Sequence, residues 1–414
     1  MPPGITRRER FVTDEFVVAI PHQDLVLGEL GELPEFVTNA RISRSDPRLG
    51  LSLIRVAHTG ETDDKPGDEP DDEPDGETAR EGAALTRLLG TIRSACAGRY
   101  DHWVPTIGKN RILERIDGAA DEADAGVACV AGVPAPCDPA SLPDAPAGGR
   151  GRDVKVAILD TRLYPHPDLA GRFYVDDPHA LLDQTGKLPY HSGHATFLAG
   201  LIAQRAPLVE LEIHNVLGDG HAAATAWDVA TKIAQFAGSN VGVLTLSVGC
   251  YTEDGAPPLL LKRAVELLTP GVVIVAPAGN HGAAGGRVGP RTPFWPAALD
   301  DVVAVGAHDS SGRRAGFSPD VPWISLSAPG VDVKSTYLSG DVDVLEGAGD
   351  TTRTFTGYAS WSGTSFAAAT VSGEIAAGTV PGERGPREAL NDLLRQRPTE
   401  AGLDIWAYDQ RAGK

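Results

Sequence analysis

Cysteine is scarce. Four residues (Cys96, Cys129, Cys137 and Cys250) are scattered through 414 positions, too few for a disulfide scaffold and without the paired spacing of a metal site. They read as free thiols, with a Cys129–Cys137 bond as the alternative in an oxidising compartment. No apolar run approaches the ~18–20 residues needed to cross a bilayer, so no membrane partner is expected. The twin Arg7-Arg8 is followed by charges where a secretory signal needs an apolar core, and a cytoplasmic location is the expectation. Basic residues are also in deficit, 37 Lys and Arg against 56 Asp and Glu. The resulting charge of −19 argues against nucleic acid as a partner, because phosphate binding needs basic surface. No internal repeat is visible.

Much of that charge is local. Ten acidic residues between Glu61 and Glu77 face Lys65 alone, interleaved with Pro66, Pro70 and Pro74. Such a stretch buries too little apolar surface to offset its ordering entropy, and a disordered loop at about 60–80 is predicted. A docking tail for a basic partner is the alternative.

Around this loop, Glu15–Pro21, Leu51–Ala57 and Trp103–Leu113 read as extended, and Gln23–Glu32 and Glu81–Cys96 as helical. That order predicts a small α+β domain over 1–117. Ala, Pro, Gly and Asp then dominate 118–151, a linker. From 152 to 414 the pattern becomes α/β. Short apolar runs at Val154–Leu159, Val209–Asn215, Val241–Leu246, Val272–Val275 and Val302–Val305 alternate with helical segments at Ala195–Gln204, Thr225–Phe236 and Pro258–Leu268. Buried strands alternating with helices predict a mostly parallel sheet with helices on both faces.

Four residues carry candidate chemistry. Asp160 ends the first of these strands, where active sites gather in open parallel sheets. His194 opens a small-residue helix, whose positive end disfavours the imidazolium and so suits a general base. Ser365, in Gly363-Thr364-Ser365-Phe366-Ala367, lies in the first turn of another helix, where its own N–H faces a developing oxyanion. Asn280 follows a strand in Ala278-Gly279-Asn280 and offers a second donor. Read singly, each has an ordinary structural explanation: a turn acid, a packed or capping His, a helix cap and a turn Asn. The context of Ser365 is not the Gly-x-Ser-x-Gly elbow of the α/β-hydrolases.

Their order, Asp…His…Asn…Ser, is that of the subtilisin triad and its oxyanion donor. Over roughly Asp153 to Val380 the chain resembles the subtilisin-like serine peptidases. Val216-Leu217-Gly218-Asp219-Gly220, Leu246-Ser247-Val248-Gly249, Ala315-Gly316-Phe317-Ser318 and Ala328-Pro329-Gly330 resemble family segments in the right order. The resemblance implies a serine endopeptidase acting on protein or peptide, with Asp160, His194 and Ser365 as catalytic residues and an oxyanion hole of Asn280 and the Ser365 N–H. It further implies that Ser247, Val248 and Gly249 pair with substrate backbone. The turn at Gly218–His221 would form the opposite wall, and Ala276 to Gly279, including Ala278 and Gly279, would line the pocket before the scissile bond.

Three departures stand out. Arg162 replaces a family glycine beside Asp160, and a local ion pair, an altered substrate entry and a perturbed Asp160 are all open for it. Ala369-Thr370 stands where the family commonly has Pro-His. Gln204-Arg205-Ala206-Pro207 leads almost directly into a strand, leaving no room for the family's calcium loop. His191 and His194 lack a third ligand for zinc. No metal and no cofactor are expected. The N-terminal region resembles a propeptide in position and element order, either an inhibitor cleaved in the linker near Gly148–Arg152 or a retained regulatory domain. Rival functions are a catalytically impaired binding protein and an esterase or acyl transferase on the same scaffold; amide hydrolysis separates them.

Overall fold

The computed structural model describes residues 9–58, 76–116, 132–396 and 404–408, apart from positions 35, 145, 147, 176–180, 184–185, 218–222, 284–287 and 347–348. Most of the acidic run, and Cys129, lie outside these residues. Cys96, Cys137 and Cys250 are free thiols.

The N-terminal region is β1 (Phe11–Ala19), α1 (Gln23–Gly31), β2 (Val37–Asp46), β3 (Leu51–His58), α2 (Gly76–Arg99) and β4 (Ile107–Arg115). Its strands are antiparallel in the order β4-β1-β3-β2. Period-two alternation gives β1 and β3 two apolar faces. Phe16, Val18, Ile54 and Val56 pack with Leu85, Leu88, Leu89 and Ile92 of α2. Val17, Ala19, Leu51 and Leu53 turn the other way, into a core shared with the C-terminal region. The sequence pattern missed β2. It is the edge strand, polar and mostly exposed, so it carries no apolar alternation.

After β5 (Ala135–Pro136), the C-terminal region is built on a sheet in the order β18-β15-β14-β13-β11-β6-β9-β7. These are β6 (Lys155–Asp160), β7 (Phe173–Val175), β9 (Glu210–Asn215), β11 (Val241–Leu246), β13 (Val273–Pro277), β14 (Val302–His308), β15 (Ile324–Pro329) and β18 (Trp406–Ala407). All neighbours are parallel except the β15–β18 edge pair. Helices cover both faces, as expected. Val156 and Ile158 of β6 face a core with Phe197 and Phe366, which lie on α3 (His194–Arg205) and α6 (Thr364–Gly378). Ala157 and Leu159 face Trp227 and Ile233 of α4 (Ala226–Ala234) and Leu260 and Leu261 of α5 (Leu259–Leu268). Fully buried aliphatic side chains of this kind contribute roughly 1.5–3 kcal/mol each, so the two-sided core holds the strand ends that carry the site.

Between β15 and α6 runs a long hairpin, β16 (Val333–Glu346) and β17 (Gly349–Trp361), which also pairs with β5 and with β8 (Leu188–Pro189). Two short strands, β10 (Ala223–Thr225) and β12 (Val248–Gly249), stand away from the main sheet, and both pair with β4. A last helix, α7 (Pro386–Leu393), packs on α6. Helix α3 ends at Arg205 and β9 begins at Glu210, so the connection there is short.

Candidate active site

Asp160 is the last residue of β6 and is fully buried. Its carboxylate accepts from the Thr161 N–H at 2.7 Å and the Thr161 hydroxyl at 3.1 Å. His194 Nδ1 lies 2.8 and 2.9 Å from its two oxygens. An imidazole held this way carries its proton on Nδ1 and presents Nε2 as a base. Trp361 meets the His194 ring edge-on at 5.6 Å, and Phe366 lies tilted at 5.4 Å, so the ring is fixed by packing as well.

Helices α3 and α6 pack against each other, with Phe197 and Phe366 rings 4.6 Å apart, and this contact sets the starts of the two helices side by side. Ser365 lies in the first turn of α6 and is 1% exposed. Its hydroxyl has no hydrogen-bond partner among the described residues. The structure therefore joins Asp160 to His194 but not His194 to Ser365. A buried hydroxyl left unpaired is uncommon and asks for a reason.

Asn280 is oriented by its own oxygen. Its Oδ1 accepts from the Thr364 N–H at 3.0 Å and the Thr364 hydroxyl at 2.9 Å, which leaves Nδ2 free to aim outward. Nδ2 donates to the carbonyl of Ile116 at 3.4 Å. Ile116 directly follows β4, so the chain's own backbone occupies the position in front of Asn280.

The rest of β4 explains how it arrives there. Its carboxyl-terminal half lies between two strands of the C-terminal region: Ile112, Leu113 and Glu114 register with Thr225, Ala224 and Ala223, and Glu114 and Arg115 with Gly249 and Val248. Gly249 has to be glycine, since a methyl there would fall 2.3 Å from the Phe294 ring and 2.4 Å from the Trp295 carbonyl. Val248–Gly249, the expected edge, thus borders β4 on one side. On the other side β4 meets Ala223–Thr225, which the sequence did not mark; Gly218, expected at the opposite wall, lies with the rest of 218–222 outside the described residues. Ser247, directly before Val248, is buried, its hydroxyl without a partner among the described residues. Of the small residues expected to line the pocket, Ala276 shares a buried cluster with Ile116, whereas Ala278 packs with Val321 and Ile324. Gly279 has φ +101°, a left-handed conformation that an L side chain resists.

Residues 151–383, more than half of the chain, match the model of the subtilase family. The chain belongs to the subtilase family. Its similarity to Subtilisin BL of Lederbergia lenta is 36% identity over 244 residues, which cover 55% of this chain and 77% of the relative. Identity is 33% over 221 residues with the Thermophilic serine proteinase of Bacillus sp. strain AK1, covering 48% of this chain and 50% of the relative. It is 32% over 221 residues with the Thermostable alkaline protease of Halalkalibacterium halodurans, covering 50% and 56%. The chain thus spans about half the length of the last two.

Around the site of this subtilase, Tyr190, Tyr337 and Trp361 escaped the sequence reading. Tyr190 packs on Trp361, their rings 5.8 Å apart, and its carbonyl accepts the Tyr337 hydroxyl. Burial pushes the Tyr337 phenol well above its usual range and keeps it a donor. Cys250 follows β12, and burial pushes its thiol up to about 12, so it is no rival nucleophile. Arg162 is half-buried beside the Asp160–Thr161 turn. Trp361 Nε1 donates to the Gly132 carbonyl, and Arg353 donates to that of Pro134 at 3.0 Å. No helix of the described residues is long and apolar enough to cross a membrane, and no cluster of three or more His, Cys, Asp or Glu suited to a metal occurs among them.

Proposed function

We propose that this subtilase is a serine endopeptidase in which Ser365 is the nucleophile, His194 the general base and Asp160 the group that orients the imidazole. The observation that carries the reading is a peptide carbonyl, that of Ile116, resting on the Asn280 amide while its strand is clamped between β10 and β12. A groove that holds an extended backbone by ladder hydrogen bonds is built for peptide, and its donor is aimed at a carbonyl.

The steps follow from these positions. Ser365 Oγ attacks the substrate carbonyl carbon as its proton passes to His194 Nε2. The Asp160 carboxylate steadies the resulting imidazolium. Negative charge gathers on the carbonyl oxygen, met by Asn280 Nδ2 and the Ser365 N–H at the start of α6. His194 then returns its proton to the departing amine, and water attacks the acyl-enzyme through the same base.

In this reading the N-terminal domain, 1–117, inhibits the catalytic domain, 152–414, by filling its groove. Support comes from the surface that the two regions share. Asn110 Nδ2 donates to Glu15 at 2.8 Å while its oxygen accepts the Trp227 N–H at 3.0 Å, occupying an open donor in the first turn of α4. Arg44 pairs with Asp228 at 2.7 Å. Residues 148–152, the expected cleavage region, lie elsewhere: Gly151 packs against Ala206, beyond the end of α3, and Arg150 pairs with Glu374 of α6. The free thiols agree with a reducing, cytoplasmic setting.

The test compares the full chain with Ser365→Ala on an unstructured protein substrate, with and without an active-serine phosphonylating reagent. Hydrolysis that the reagent and the mutation both abolish is the expected result. Labelling of Ser365 without amide hydrolysis would instead favour the esterase or acyl transferase reading.

A further inference from the structure

The seated strand also carries a statement about substrate, because the catalytic region contacts the side chains of Leu113, Arg115 and Ile116. Burial along β4 alternates through the clamp. Leu113 and Arg115 are buried, Ile112 and Glu114 are half-buried, and Ile116, where the strand ends, is buried again. Leu113 is fully enclosed in the cluster that contains Trp227, Leu246 and Val248, and Ile116 is enclosed in the same cluster. Glu114 is engaged from the other side, by Arg10 of the N-terminal region at 2.6 Å. Arg115 is the unusual member. A buried cation needs a favourable partner, and its guanidinium lies over the Tyr190 ring at 5.9 Å from the centroid, within the range of a cation–ring attraction.

We infer that the enzyme prefers peptides with an aliphatic residue directly before the scissile bond, a basic residue second before it and a large aliphatic residue fourth before it. Tyr190 is the residue that reads the cation, and the chain's own Ile116–Asp117 bond is the first such substrate. The inference rests on the endopeptidase reading. It adds the register, which follows from geometry: the carbonyl on the oxyanion donor is the one attacked, so Ile116 lies on the acyl side and the amine of Asp117 leaves. The acyl-enzyme formed at Ile116 is released by water, giving one fragment that ends in the Ile116 carboxylate and one that begins at Asp117.

Tyr190 suits the part. It opens the turn Tyr190–Gly193 that leads into His194, its ring is packed on Trp361, and its carbonyl is fixed by Tyr337. A ring held on two sides presents its face to the second substrate position without a cost of ordering on binding.

The experiment has two arms. Intact mass and amino-terminal sequencing of the full chain are compared with Ser365→Ala, and fluorogenic amides of Leu-Glu-Arg-Ile, Leu-Glu-Ala-Ile and Leu-Glu-Glu-Ile are hydrolysed by wild type, Tyr190→Leu and Tyr190→Phe. A serine-dependent fragment beginning at Asp117 is expected, together with a preference for Arg over Ala of roughly tenfold in kcat/KM, the size of a cation–ring attraction shielded from water. That ratio should fall to near unity in Tyr190→Leu and persist in Tyr190→Phe; damage common to all substrates cancels within each enzyme. An active enzyme that cuts at other bonds, or shows no Arg preference, overturns the inference and leaves the endopeptidase reading standing. If neither wild type nor Arg115→Glu, whose seated strand has lost its cation, cuts any amide or takes up a phosphonate label, both fall together.

Discussion

The two halves of this chain announce themselves differently. The C-terminal region carries its candidate chemistry in residue types, because the roles proposed for His194, Ser365 and Asn280 each need one particular side chain in one particular backbone setting. The N-terminal region spells out almost nothing, yet it places the carbonyl of Ile116 in front of Asn280. That contact is made by backbone, as are the pairings of β4 with β10 and β12. Any residue can supply a carbonyl and an extended N–H. Chemistry that depends on side chains is written in sequence, whereas occupancy of a groove by main chain is not.

The largest effect that tests this contrast is Ser365→Ala. Loss of kcat by roughly 10⁶, the loss that a subtilisin suffers when its serine alone is removed, is expected on a peptide substrate. Folding should be intact, since the hydroxyl makes no hydrogen bond among the described residues; a thermal melt within a degree or two of wild type is the check. Asn280→Ala comes next. A subtilisin deprived of its one side-chain oxyanion donor loses about 10²–10³ in kcat, mostly without change in KM, and the same is expected here by steady-state kinetics. A KM effect alone would mean that Asn280 only grips the groove's occupant.

Legibility in the sequence follows the same divide. The apolar runs of β6, β9, β11 and β13 and the helices α3, α4 and α5 were visible because the central sheet is buried on both faces. Asp160 and His194 meet as their contexts implied, at 2.8 Å. The β16–β17 hairpin was not visible, since its distal part carries polar Asp, Ser and Thr in exposed cross-strand pairs such as Asp341–Thr354. Nor was the strand at Ala223–Thr225: two alanines before a capping Thr read only as a helix start. Tyr190 was passed over because a lone aromatic before a His has no spacing to betray it.

A third prediction separates the halves by acid. His281 and His308 both lie in the C-terminal region, and burial lowers each from 6.5 to about 4. Between those values the unfolded chain binds protons that the folded chain does not, so their contribution is complete above pH 6.5 and is lost as pH falls through 4. Each is worth roughly 3 kcal/mol at most. Urea melts followed from pH 7 to pH 4 should therefore show the C-terminal region weakening progressively. His308→Gln, which removes one of these imidazoles and its stack on Trp406 at 4.1 Å, should flatten the pH dependence while lowering stability at pH 7. A slope unchanged by the substitution would place the acid sensitivity in carboxylates.

The smallest effect belongs to the seam between the halves. Arg44 and Asp228 pair at 2.7 Å, but both side chains are about half exposed, 47% and 53%, so solvent and salt screen the attraction and its worth is under about 1 kcal/mol. Arg44→Ala should then loosen the N-terminal region by less than about fivefold, read as faster onset of peptide hydrolysis, and the difference should vanish at high salt. The shared apolar layer of Val17, Leu51, Leu53, Trp227 and Leu260 carries the attachment instead. Leu53→Ala, which removes a fully buried side chain from that layer, should hasten onset far more and with no salt dependence. Were the order reversed, the two halves would be held by charge, and the fit of β4 in its groove would be a consequence of docking and not its cause.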